Sequence, residues 1–147
     1  MSAAALCKYW RLSHRRKILL PEALLAVTAA TILLKVLRFS ILAAWLGGTS
    51  RDIVRDAGAQ PVEVGCDIGW AIRAAAARVP WPAQCLVQAL AATLLAKLHR
   101  LRTVLYLGVA RGDTGELQAH AWLRCGDRII TGAGSHEKFR VVVTFSS

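Results

Sequence analysis

Cys85, His120 and Asp127 are the residues of this chain whose types and order could do acyl chemistry. A thiolate attacks a carbonyl carbon, an imidazole moves the proton, and a carboxylate fixes the tautomer and orientation of the imidazole. Cys85 stands in "WPAQCLVQALAATLL", two residues after a proline-broken loop becomes an apolar helix. The first N–H groups of a helix lack carbonyl partners, and the helix dipole is positive there. Both favour the thiolate form. On position alone, a small buried core cysteine is as good an account.

The other histidines are poorer bases. His14 lies in a basic N-terminal arm. His99 ends the Cys85 helix fourteen residues on, about 20 Å away at a rise of roughly 1.5 Å per residue. His136 sits in a charged Gly-Ser loop and reads as a solvated surface residue. His120 lies mid-strand between Ala119 and Ala121, where small neighbours leave room for the ring. Alone, it would read as a core or edge histidine. Asp127 follows His120 by seven residues across a Cys125-Gly126 turn. A hairpin of 117–124 with 127–131 would start Asp127's strand beside that of His120. Gly-Asp is also ordinary turn chemistry. Asp113 competes for the orienting role from its own Gly-flanked turn, and Asp127 is preferred because a group on the neighbouring strand reaches the ring more easily.

The elements that must position these groups come in two kinds. The spacing predicts a helix over 18–46, ended by Gly47-Gly48, then a short polar stretch over 51–59. A second helix is predicted over 67–78, ahead of the Val79-Pro80-Trp81-Pro82 break. A third runs from about Ala83 to His99, with Leu86, Leu90, Leu94 and Leu98 on one face. The period then changes. Strands are predicted over 103–109, 117–124, 128–130 and 140–145, with turns at 111–115 and 125–127. Helices first and an antiparallel meander after give an α+β class. Residues 1–60 are read as a helical region packed on a core of residues 61–147.

Composition narrows the class. At 147 residues and 55% hydrophobic, the chain suits one domain with a sizeable core. Its formal charge of +10 draws it to acidic surfaces without naming one. Cys7, Cys66, Cys85 and Cys125 form no C-x-x-C pair, and no start resembling a cleaved signal peptide precedes them. Reduced thiols in the cytoplasm are the expectation. The nearest metal-like pair, His120 with Cys125, lacks a second close pair, so no metal is expected. The longest apolar stretch, 23–34, is short for a membrane span. The basic start, Lys8 to Lys17, could still lean on an anionic surface. No nucleic-acid partner is expected, because aromatics do not interleave with the basic runs and no RNA- or DNA-binding motif is present.

The segments "CLVQALAATLL" and "LYLGVARGDTGELQAHAWLRCGDRIITG" resemble the lasso peptide biosynthesis B family, transglutaminase-like cysteine leader peptidases, in the form without a recognition domain. The resemblance rests on Cys85-Leu86 with Ala89-Leu90, on Gly108-Val109, on His120-Ala121-Trp122 and on Asp127. It departs where that family usually has a Gly after the cysteine helix (here Leu98 to Arg102) and an acid at the position of Arg124. It implies a transglutaminase/papain-like core, with Cys85, His120 and Asp127 catalytic and no cofactor. It also implies removal of the leader from a ribosomally made precursor peptide, a separate small leader-recognition protein, and an ATP-dependent macrolactam cyclase similar to asparagine synthetase. An acyltransferase of the same superfamily would use the same three residues, with an amine in place of water. A non-enzymatic basic module that binds nucleic acid or membrane is the third reading.

Overall fold

The computed structural model describes residues 12–38, 41, 44, 61–134 and 136–146. Among the described residues the elements run in the order α1 (His14–Val36), α2 (Val62–Ala76), α3 (Cys85–Leu98), β1 (Val104–Arg111), β2 (Leu117–Cys125), β3 (Arg128–Thr131) and β4 (Arg140–Ser146). A 3-10 turn, His136–Lys138, precedes β4. The sheet order is β3-β2-β1-β4, with every pairing antiparallel. The fold is α+β, with the helices packed on a core that bears this sheet.

The helix boundaries differ from the sequence reading at both ends of the helical half. α1 starts four residues before Ile18 because Ser13 caps it, its hydroxyl accepting from the Arg16 N–H. It stops at Val36, where Leu37 turns extended. The stretch over 51–59 lies outside the described residues. α2 begins directly after Pro61, with Glu63 in its first turn where a negative charge suits the dipole. α3 is shorter than expected, so Cys85 becomes its first helical residue.

The leucine face expected on α3 is too narrow. Val87, Leu90 and Leu95 are buried together with Ala89, Ala91, Ala92, Thr93 and Ala96, while Leu98 is 69% exposed. A helix buried nearly all round must have neighbours nearly all round. Here α1 and α2 press on it as well as β2. The alanines let them approach closely. Leu19, Ala23, Val27 and Ala30 of α1 join the same core. Arg16 ties α1 to α2, donating to Asp67 at 2.7 Å and lying over the Trp70 ring at 4.9 Å.

Strand alternation separates the two faces of the sheet. Ala121, Leu123 and Cys125 of β2, Leu105 of β1 and Phe145 of β4 join the helix-side core. The residues between them turn the other way. Tyr106 and Trp122 are register partners on that second face, their rings stacked at 5.5 Å and 5°. Trp122 is buried there by neighbours outside the main core cluster.

Candidate functional site

Cys85 is half-buried at the start of α3 and packs against the helix-side core. Gln84 is the N-cap and makes no side-chain cap hydrogen bond. The free N–H groups of the first turn therefore have no intrahelical acceptor, which is the electropositive setting the sequence suggested. After the helix the Leu101 N–H bonds to the Ala96 carbonyl in a tight turn ahead of β1. Of the other described cysteines, Cys125 is fully buried, and burial first, then the neighbouring Cys66, push its thiol pKa up. That is the setting of an inert thiol.

His120 sits on the second face. It pairs with Gly108 across β1 and shares its face with Trp122, ring to ring at 5.9 Å. Phe139 closes on it at 5.0 Å. A side chain on Gly108 would run into Phe139 and Trp122 at 2.9 Å, so glycine there makes room for the cluster. His120 Nε2 donates to the Gly132 carbonyl at 2.8 Å. A carbonyl can only accept, so Nε2 carries a proton, and in the neutral form of the ring Nδ1 would be the nitrogen left to act as a base. Gly132 has φ +74°, and a Cβ on it would lie 2.4 Å from the Ala121 carbonyl oxygen. Both the conformation and the space require glycine.

The structure does not bring Asp127 to His120. Cys125 pairs with Arg128, so Asp127 belongs to the tight turn between β2 and β3 and does not begin a strand. That turn is five residues along β2 from His120, roughly 17 Å at strand rise. In an antiparallel hairpin, residues beside the turn face the near end of the partner strand. The residues that come alongside His120 lie beyond β3, where Gly132 is. Asp127 instead lines a hollow of about 510 Å³ with Arg16, Cys66 and Asp67. Asp113, the competing acid, lines a cavity of about 390 Å³ with His120, Arg111, Gln118, Lys138 and Phe139. Glu116 in the same turn is engaged: Thr114 and Gln118 donate to it, and the Thr114 bond leads in holding its carboxyl below the usual range.

Cys85 packs against the helix-side core and His120 lies on the other face of the sheet with Trp122 and Phe139, and among the described residues no hydrogen bond joins them. The sequence reading missed the Gly132 carbonyl and the aromatic wall of Tyr106, Trp122 and Phe139. His136 has partners that its charged Gly-Ser loop does not reveal. Its Nδ1 donates to the Ala133 carbonyl at 2.7 Å, and its ring rests on Trp122 at 5.9 Å. The His-x-Trp spacing was the available signal, since residues two apart share a strand face.

A family model described as transglutaminase-like superfamily matches residues 24–144, which takes in α3, all of β1 to β3 and most of β4. The chain belongs to this transglutaminase-like family. The match agrees at family level with the lasso peptide B resemblance and with a hydrolase-type role. It runs from the second half of α1 into β4. No curated protein and no solved structure matches the chain.

Proposed function

We propose that this transglutaminase-like protein is a cysteine peptidase that removes the leader from a lasso precursor peptide. Cys85 is the nucleophile and His120 the base. The observation that carries the reading is Cys85 as the first residue of α3, inside the family match. The Nδ1 of His120, the base nitrogen in the neutral form of its ring, supports it, as does the cavity beside that ring.

In this scheme the Cys85 sulfur, its proton passed to His120, adds to the scissile carbonyl. First-turn N–H groups of α3 hold the oxyanion. The imidazolium returns the proton to the departing amine, leaving a thioester, and water then releases the leader carboxylate and the free thiol. The sulfur and Nδ1 must meet for this, so the segment of β2 around His120 must move. β3 pairs with β2 only from Leu123 onward, so that segment has a backbone partner on one side, at β1. Substrate binding, aided by a separate leader-recognition protein, supplies the closure. The freed core peptide is then passed to a macrolactam cyclase.

The test is a mass-spectrometric time course of precursor cleavage, with and without the recognition protein. Wild-type chain with that protein should yield two fragments whose masses sum to precursor plus one water. Cys85→Ala should abolish them, and Cys66→Ala should not. Cleavage by Cys85→Ala at near the normal rate would refute the assignment. An amide-linked product in place of a carboxylate would mark an acyltransferase.

A further inference from the structure

α1 buries only one of its faces. Leu19, Ala23, Val27 and Ala30 are in the core, while Ile18, Leu25, Ile32 and Val36 are exposed by 48%, 72%, 55% and 73%. At about 100° per residue, these four lie within some 40° of one line, and the line is about 27 Å long at helical rise. Isolated exposed apolar residues need no explanation, but a contiguous stripe does. The one acidic residue of the helix, Glu22, is turned to His99, its carboxylate 2.8 Å from Nε2. Cations stand at both ends of the stripe: Arg15 at one, Lys35 and Arg38 at the other, all exposed.

We infer that this face of α1 docks on an anionic lipid surface, with the helix lying in the plane of the interface. The helix is long and apolar enough to cross a membrane, with only 28% of its most apolar window buried. Its opposite face is nevertheless occupied by α2 and α3, so it cannot be surrounded by lipid without unpacking the core. Docking in the plane keeps that packing and removes the stripe from water. Exposed Lys and Arg then reach the headgroups from both ends. The formal charge of +10 favours an anionic bilayer and works against a second copy of the chain on the same face. Docking does not depend on which reaction the protein performs.

The experiment is co-sedimentation of the full chain with vesicles. One set is phosphatidylcholine alone, and the other contains about a third phosphatidylglycerol. The chain should partition to the anionic set and release as salt rises. The double variant Leu25→Glu, Ile32→Glu should lower partitioning by roughly tenfold or more. Both positions are largely exposed, and circular dichroism checks that the fold is kept; Leu25→Ser, Ile32→Ser is the milder substitute. Val142→Glu, at an exposed position on β4, should bind as wild type. Three results would overturn the inference: no binding to either set, binding unaffected by the stripe variants, or a dimer in solution that those variants dissociate.

Discussion

The Nε2–H of His120 is held by the carbonyl of Gly132 at 2.8 Å, a main-chain acceptor where a side-chain carboxylate was expected. A carbonyl fixes the tautomer and the ring plane as a carboxylate would, but it brings no full negative charge. An imidazolium formed during turnover is then stabilised less than beside an aspartate.

Asp127→Asn should therefore change the cleavage rate by less than about twofold, since the residue is roughly five strand positions from the ring. Asp113→Asn should cost more, because Asp113 shares the cavity with His120. Gly132→Ala should be the most damaging of the three, losing about 1–2 kcal/mol to the left-handed backbone alone. Nitrogen NMR of the His120 ring gives a readout independent of activity. Nε2 should carry the proton in wild type and in Asp127→Asn alike. A ring protonated on Nδ1, or activity lost with Asp127→Asn alone, would return the orienting role to the aspartate.

The helical half of the fold was legible because its signals are local. Pro61 and the Pro80–Pro82 break punctuate the chain, and apolar runs lie between them. The hairpins were legible from Gly112, Gly115 and Gly126 in their turns. The partner of His120 was not. It depends on a register in which residues past β3 come alongside the middle of β2, and a backbone carbonyl leaves no mark in residue type. That His120 faces away from the helix-side core was in principle readable. Ala121 and Leu123 join the core, so strand alternation turns His120 outward, but this shows only once the helix-covered face is known. The all-round burial of α3 depends likewise on three neighbours that its own period cannot reveal.

Cys125 makes stability fall at alkaline pH. Its folded pKa is raised above the ordinary value of 9.0, by burial first and by Cys66 second. The folded state thus keeps a proton that the unfolded chain gives up. Stability from this group is present below the unfolded pKa and declines as pH rises past about 9, by at most about 1.4 kcal/mol per pH unit. Cys125→Ala removes that titration at the cost of a small cavity. The stability gap between wild type and variant, from urea midpoints, should narrow between about pH 7 and pH 10. A constant gap would show that Cys125 titrates alike in both states.

Thr131 should be more stable as valine. It is 1% exposed, and among the described residues its hydroxyl is the buried side-chain group without a hydrogen-bond partner. It pairs with Leu123 and so shares the helix-side face, away from the His120 cavity. Burying an unpaired hydroxyl costs on the order of 1–3 kcal/mol. Valine has nearly the same shape, is as much at home in a strand, and carries no polar atom there. Thr131→Val should raise the urea midpoint by an amount equivalent to about 1 kcal/mol, with the slope of the transition unchanged. Cleavage activity should stay as it was. A fall in the midpoint would mean that the hydroxyl has a partner in solution, such as an enclosed water, and that this partner is worth more than the methyl that replaces it.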